Sequence, residues 1–339
     1  MRVGIRLPPC RPATEVAQAA LEAEHAGFDS VWVPDSQLLW RDVFATLSVI
    51  ASKTSRVTLG SAVTNVGTRH PTVVASAIRT VQELAPSRLR VGLGVGDSAL
   101  RPLGLPPTTG RELRAGLTMV RQLLEGGEVD FAGRPLRLRD AAGACPVYVA
   151  ANGPRNLMLA GELADGVILL SGASPGALER SIGLVRRGAQ AAGRDPAGLE
   201  VIASAYCHVT DDVRRDARML KPICATIAQT GGQPLLAMAG IEVTVPAHVP
   251  DVYPDMVHAE DWALAVEVAG RWVSDEDAVA FADAFCLFGT VDQIVERIRC
   301  VAGTGATTML VQHVGSYELP HHLIDAIGGG VIPRLREGS

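Results

Sequence analysis

Gly60-Ser-Ala-Val-Thr-Asn-Val-Gly-Thr-Arg-His-Pro71 joins the end of a strand to the start of a helix through a short polar turn. The run Val57–Val63 is apolar, as a buried strand is, and Thr72–Leu84 has apolar residues at helical spacing. Pro71 suits the first position of a helix. Because ligands collect at the carboxyl ends of strands in α/β proteins, we predict that this turn is part of a binding site.

The same strand-to-helix unit recurs along nearly the whole chain. Eight apolar runs are predicted as strands: Val3–Leu7, Ser30–Val33, Val57–Val63, Leu89–Val95, Pro146–Ala150, Val167–Leu170, Glu200–Val209 and Thr307–Val314. Alternating strands and helices indicate a parallel sheet, and eight such units indicate a closed (β/α)8 TIM barrel. We therefore expect one α/β barrel domain over residues 1–339, with residues 211–288 as a helical insertion between the seventh and eighth strands.

The composition restricts the class of partner. Hydrophobic residues make up 47% of the 339 residues and aromatic ones only 4%, which indicates the aliphatic core of buried parallel strands. A net charge of -5 without a basic patch argues against a nucleic-acid partner. The first predicted strand leaves no room for a signal peptide, and no apolar run approaches the roughly 20 residues of a membrane span. We expect a cytoplasmic protein without membrane contact.

The cysteines favour free thiols over a metal site. They are scattered as Cys10, Cys145, Cys207, Cys224, Cys286 and Cys300, and no pair has C-x-x-C spacing. Such usage is typical of a reducing compartment. We predict no bound metal.

The carboxyl ends of the predicted strands form a small, polar rim, where the active site of such a barrel lies. In chain order they are Pro8-Pro9-Cys10, Pro34-Asp35-Ser36, Ala62-Val63-Thr64-Asn65, Gly96-Asp97, Ala151-Asn152-Gly153, Ser171-Gly172, Tyr206–His208 and His313–Gly315. This rim suits a flat, hydrogen-bonding ligand better than a metal ion or a nucleophilic attack.

Several rim residues have a structural and a functional interpretation. The spacing G-x-G-x-G in Gly92–Asp97 differs from the dinucleotide fingerprint and favours a strand that another backbone or a ring approaches closely. Asn152–Arg155 is either an ordinary turn or an anion site at a helix start. Asp35 is a helix cap or a functional acid, and His70 is structural or faces the substrate. No G-x-S-x-G, P-loop or H-E-x-x-H motif supports a hydrolase, NTPase or metalloprotease.

In this order the motifs resemble the bacterial luciferase-like superfamily, within it the methylenetetrahydromethanopterin reductase branch that uses the deazaflavin coenzyme F420. The resembling segments are Gly27–Asp35, Asp42–Leu47, Leu59–Asn65, Thr68–Pro71, Val91–Asp97, Gly153–Pro154, Leu159–Gly166, Gly193–Pro196 and Phe288–Thr290. The resemblance implies a (β/α)8 barrel with an insertion, usually a homodimer, and a non-proline cis peptide between Ala62 and Val63.

The resemblance and the rim positions together give the predicted site. The predicted cofactor-binding residues towards the ring are Asp35, Ala62, Val63, Asn65, Gly94, Val95, Gly96 and Asp97. Those towards the phosphate-bearing tail are Asn152, Gly153, Pro154 and Arg155, and Thr64 and Ser171 are predicted to bind the cofactor as well. Asp35, Ser36 and His70 are the candidate catalytic residues. Relatives commonly carry Asp-His where this chain has Asp35-Ser36, which removes one candidate proton donor.

Three functions remain open from the sequence. The first is an F420-dependent oxidoreductase that moves a hydride between the deazaflavin and a small organic substrate, reducing a C=N or C=C bond. The second is an FMN-dependent luciferase-like monooxygenase on the same barrel. The third is a flavin-binding homologue without activity. The match at Thr64–Asn65 and Thr68–Pro71 favours the first over the second.

Overall fold

A computed structural model describes residues 1–141, 143–315 and 317–337 of the chain. Its strands are β1 (Arg2–Arg6), β2 (Ser30–Val33), β3 (Thr58–Asn65), β4 (Leu89–Gly94), β5 (Val129–Phe131), β6 (Arg134–Leu136), β7 (Val147–Ala151), β8 (Gly166–Leu169), β9 (Glu200–Val209), β10 (Leu287–Gly289) and β11 (Thr308–Gln312).

The helices alternate with these strands. They are α1 (Ala13–His25), α2 (Val43–Lys53), α3 (Pro71–Leu84), α4 (Asp97–Leu100), α5 (Gly110–Leu124), α6 (Pro154–Leu163), α7 (Pro175–Ala191), α8 (Val213–Asp216), α9 (Lys221–Gln229), α10 (Gln233–Leu236), α11 (Trp262–Ala269), α12 (Asp275–Phe285), α13 (Val291–Gly303), α14 (His321–Ala326) and α15 (Ile332–Glu337).

Parallel pairing closes a barrel in the order β1-β2-β3-β4-β7-β8-β9-β11. Strand β11 pairs with both β9 and β1, so the sheet has no free edge within the barrel. These are the eight predicted strands, and each boundary lies within two residues of its prediction. The predicted (β/α)8 fold is confirmed, with helices α8–α12 inserted before the last barrel strand.

Two local predictions were wrong. The insertion ends in a short strand, because β10 pairs in parallel with β9 from Leu287 opposite Cys207 onwards. Three residues are too few to show a strand period in the sequence. The sequence also predicts a first helix over Thr14–His25 with Thr14 as its cap, but α1 begins at Ala13, so Thr14 lies inside the first turn and cannot be the N-cap residue.

Aromatic side chains fill the barrel interior beneath its rim. The rings of Trp32 and Tyr148 meet edge to face with centroids 5.8 Å apart, and the indole donates to Ser30 Oγ at 2.9 Å. Glycines on neighbouring strands make room for them: a Cβ at Gly60 would lie 2.3 Å from the Trp32 ring, and one at Gly166 would lie 2.1 Å from the Tyr148 ring. The Trp32 and Tyr148 rings, each packed against a glycine, therefore fill the barrel interior beneath the rim.

The inserted helices form an apolar cluster of their own. Leu220, Ile223, Leu236, Met256 and Phe281 belong to this cluster, which is distinct from the one between the barrel and its outer helices. Within the described residues, no helix is long and apolar enough to cross a membrane.

Replacing Gly60 by Ala should lower the free energy of unfolding by about 1–3 kcal/mol, because the new methyl group overpacks the Trp32 ring. Gly183→Ala is the matched control. It lies within α7, where a Cβ meets no described atom within 4 Å, so it should stabilise by up to about 1 kcal/mol. Urea denaturation measures both changes, and equal effects would contradict the packing described here.

Candidate functional site

A cavity of about 930 Å³ lies between the barrel rim and the inserted helices. Ile168 and Leu310, which pack on the Trp32 and Tyr148 rings, contribute to its floor. Ile223, Trp262 and Phe281 of the insertion line it from the other side. The fold therefore places a roofed, largely apolar chamber at the carboxyl ends of the strands.

The cavity brings together some of the predicted cofactor-binding residues. Ala62, Val63, Asn152, Gly153, Pro154 and Ser171 all line it. Those not among its lining residues are Asp35, Thr64, Asn65, Gly94, Val95, Gly96, Asp97 and Arg155, together with the candidate catalytic residues Ser36 and His70.

The peptide bond between Ala62 and Val63 is cis, as predicted. The register between β3 and β4 shifts between Ser61 and Thr64, so a bulge lies at this point. Both Ala62 and Val63 line the cavity. Val63 rests on a glycine, because a Cβ at Gly94 would lie 2.6 Å from Val63 Cγ2.

Asp35 has both carboxylate oxygens engaged. It accepts hydrogen bonds from Thr64 Oγ1 at 2.7 Å, from Arg69 Nε at 2.9 Å and from Arg69 Nη2 at 3.1 Å. Arg69 Nη2 also donates to Asp42, the N-cap residue of α2, at 2.8 Å. Burial alone would lower the pKa of Arg69, but the two carboxylates outweigh it and raise that pKa. This network holds the second and third strand ends and the start of α2 together.

Ser36 and His70 also contact neighbouring protein groups. Ser36 Oγ lies 2.6 Å from Ser98 Oγ. His70 is the N-cap residue of α3: its Nδ1 lies 2.8 Å from Thr72 Oγ1, and its ring meets the Phe131 ring edge to face at 4.9 Å. The structural interpretation of His70 therefore accounts for all of its observed contacts.

Two polar residues that the sequence analysis did not select line the cavity. Arg6 ends β1, and no carboxylate pairs with it within residues 1–141, 143–315 and 317–337. His313 follows β11, is 5% exposed, and has an Nε2 atom without a hydrogen-bond partner in the described structure. Burial, with smaller effects of Arg6 and His322, lowers the pKa of His313 to about 3.

The sequence did carry a signal for Arg6. In Val3-Gly4-Ile5-Arg6, the first and third side chains belong to the outer core cluster, so alternation directs Gly4 and Arg6 towards the barrel interior. A charged residue at an inward-facing position is unusual for a strand that is buried on both faces.

The start of α6 opens onto the opposite part of the cavity. Gly153 is its N-cap residue, and no side chain caps the helix among the described residues. A Cβ at Gly153 would meet no described atom within 4 Å. Arg155 lies in the first turn and is exposed. An uncapped helix start with free space in front of it suits an anion.

Residues 1–308 match the family model described as luciferase-like monooxygenase. The chain belongs to this luciferase-like family. The resemblance inferred from the motifs is therefore confirmed.

Named relatives of this luciferase-like protein include reductases and dehydrogenases. It is 32% identical to the 5,10-methylenetetrahydromethanopterin reductase of Methanolobus tindarius, over 91% of this chain and 93% of that protein. It is 29% identical to the F420-dependent glucose-6-phosphate dehydrogenase of Nakamurella multipartita, over 95% and 93% of the two chains. The coenzyme F420-dependent tetrahydromethanopterin reductase of Methanopyrus kandleri superposes with a TM-score of 0.76 at 25% identity, covering 98% and 99%.

Arg69→Met should lower the free energy of unfolding by about 3–5 kcal/mol, because it leaves the buried Asp35 carboxylate without its cation. The double variant Asp35→Asn with Arg69→Met should recover a large part of that loss, since no buried charge remains. Chemical denaturation of the two single variants and the double variant measures the coupling. Additive losses would contradict the ion pair.

His313 should make the luciferase-like protein less stable in acid. Its pKa is about 3 in the folded chain, against 6.5 for an ordinary histidine, so the unfolded chain binds the extra proton between these values. Stability from this residue is complete above pH of about 6.5 and falls by about 1.4 kcal/mol per pH unit as the pH drops towards 3.

His313→Gln should therefore flatten the decline in unfolding free energy between pH of about 6 and 4. The same substitution at the exposed His25 controls for loss of an imidazole. An unchanged acid slope in His313→Gln would show that the imidazole is not buried neutral in the folded protein.

Proposed function

We propose that this protein is an F420-dependent oxidoreductase that transfers a hydride between the deazaflavin and a small organic substrate. The observation that carries the proposal is the wall of small side chains at the β3 bulge, where Ala62 and Val63 line the cavity beside Ala150. The names of the relatives point to the same cofactor, since two of those reported above are named as F420-dependent.

The residues present fit a flat ring with an anionic tail. No side chain in the wall Ala62, Val63 and Ala150 is larger than valine, which leaves a broad surface for a planar ring. The cavity volume of about 930 Å³ lies in the upper part of the range for small-molecule sites. The uncapped start of α6, with Gly153 in front of it, supports the proposal that the phosphate of the tail binds there.

When bound, F420 supplies the site at C5 of the deazaflavin that gives or accepts the hydride. The protein contributes orientation and a dry environment. The apolar roof formed by Ile223, Trp262 and Phe281 would exclude water from the reacting atoms, and Ser171 and Asn152 offer hydrogen bonds beside the tail.

We expect the substrate to carry a C=N or C=C bond that is reduced. An iminium already carries positive charge, so a hydride can arrive without strong acid assistance, and the absence of the usual His after Asp35 would be tolerated. The catalytic roles of Asp35, Ser36 and His70 stay predictions, as do the homodimer and the cytoplasmic location. Asp35 supports the site through Arg69 and Thr64 in any case.

The alternative function is an FMN-dependent monooxygenase. It is favoured by one observation, the match of residues 1–308 to a family model described as a monooxygenase. The two proposals differ in the cofactor that binds and in the need for oxygen.

Titration of the purified protein with F420 and with FMN should show tighter binding of F420, measured by the change in cofactor fluorescence. Gly153→Asp should weaken F420 binding at least about tenfold, because its carboxylate caps α6 and repels the phosphate. Gly153→Asn, which caps without charge, is the matched control and should weaken binding less. Arg155→Ala should also raise the dissociation constant.

Two results would contradict these proposals. Tighter binding of FMN, together with oxygen-dependent turnover, would establish the monooxygenase. Equal F420 affinity in Gly153→Asp and the wild type would place the cofactor phosphate elsewhere on the rim.

A further inference from the structure

Among the described residues, Arg6 differs from the other half-buried arginines because no protein group accepts a hydrogen bond from it. Arg69 has two carboxylate partners, and Arg88 donates to four oxygen atoms of the α2 end and the following segment. Arg6 has neither an ion pair nor a hydrogen bond in the part of the chain that the structure describes, and burial lowers its pKa. A half-buried guanidinium that faces the cavity without a protein acceptor is available to pair with an anionic ligand.

Neighbouring residues form a polar patch around Arg6 on three adjacent strands. The register sets Ile5 opposite Val311 and Gln312 opposite Tyr206, so Arg6, Gln312 and Tyr206 lie at one level of β1, β11 and β9. All three line the cavity, as does His313. Gln312 Nε2 already donates to Ser204 Oγ at 2.6 Å. The Nε2 atom of the 95% buried His313 still lacks a partner among the described residues.

This patch lies across the barrel from the predicted phosphate site. In the closed order β1-β2-β3-β4-β7-β8-β9-β11, β7 is the fourth strand from β1 in either direction. The helix start at Gly153 follows β7. Arg6 and Gly153 therefore mark opposite sides of one cavity, which separates a substrate group at Arg6 from the cofactor tail.

Aromatic side chains also line this cavity. Trp40 lines the cavity, and its ring lies 6.2 Å from that of His258 and 5.3 Å from that of Tyr317. Trp262 of the insertion lines the same chamber. Such walls accommodate an apolar or aromatic body, while Arg6 and His313 offer polar groups to the same ligand.

We propose that Arg6 binds a carboxylate group of the substrate, with His313 Nε2 as a second contact, so that the substrate is an apolar or aromatic carboxylic acid. A planar guanidinium pairs with a carboxylate through two parallel hydrogen bonds. A phosphate dianion would leave charge uncompensated, because Arg6 is the one arginine of this patch and His313 is neutral at physiological pH. The assignment to the substrate rests on the proposed function, whereas the anion site itself does not.

The test uses benzoate, benzamide and phenyl phosphate as probes, with binding measured by calorimetry on the full-length protein. Wild type should bind benzoate more tightly than benzamide or phenyl phosphate. Arg6→Met should weaken benzoate binding at least about tenfold, and Arg6→Lys should fall between, because it keeps the charge and loses the fork. Arg11→Met is the control, since Arg11 is exposed and lies outside the cavity lining.

A second measurement separates binding from a structural role. In ligand-free protein, Arg6→Met should keep or raise the melting temperature, because it removes a half-buried charge that has no acceptor among the described residues. A fall of several degrees would mean that Arg6 supports the fold, and it would overturn the proposal. Equal benzoate binding by wild type and Arg6→Met, no benzoate binding by wild type, or a preference for phenyl phosphate would overturn it as well.

Titration with F420 on the same preparations distinguishes this proposal from the proposed function. Wild type, Arg6→Met and Arg11→Met should bind F420 with equal affinity, because Arg6 lies across the barrel from the tail site. If wild type binds benzoate through Arg6 but does not bind F420, the proposed function fails and the anion site stands. If Arg6→Met loses F420 affinity instead of benzoate affinity, Arg6 serves the cofactor and this proposal fails.

Discussion

The way in which the barrel interior is filled sets the position of everything else in this protein. Eight closed strands enclose a space that side chains must occupy, and here two large rings do so beneath the rim because Gly60 and Gly166 leave room for them. Above the rings Ile168 and Leu310 form part of the cavity floor, and the small side chains of Ala62 and Ala150 leave space beside them. The packing of Trp32 and Tyr148 therefore supports the floor of the cavity.

The polar rim is held in place by shared carboxylates. Asp42 caps α2 with Oδ1, at 2.8 Å from the Ala45 amide, and accepts from Arg69 with Oδ2. Arg69 also donates a hydrogen bond to the carboxylate of Asp35, which accepts a second one from the Thr64 hydroxyl. The charged residues near the rim therefore stabilise the turn after β3. The residues of that strand that line the cavity are instead the apolar Ala62 and Val63.

The fold was predictable because its signals are local and repeated eight times along the chain. The site was predictable only where a backbone feature defines it, as at the Ala62–Val63 bulge and the start of α6. The sequence pattern does not reveal that the Asp35 carboxylate is already paired with Arg69, because the two residues are 34 positions apart in the chain. It also cannot show that Arg6 has no hydrogen-bond partner among the described residues, because this depends on all of the elements packed around it.

The apolar cluster of the insertion is separate from that of the barrel. The insertion is tied to the barrel by backbone contacts: β10 pairs with β9, and the Ala173 amide donates to the Phe285 carbonyl at 2.8 Å. Because the two clusters share no residue, substitutions inside the insertion's cluster do not directly alter the packing between the strands and their outer helices. Descendants of one ancestral gene could exchange the roof while keeping the bulge and the α6 start, and so acquire new substrates without rebuilding the half of the chamber opposite Arg6.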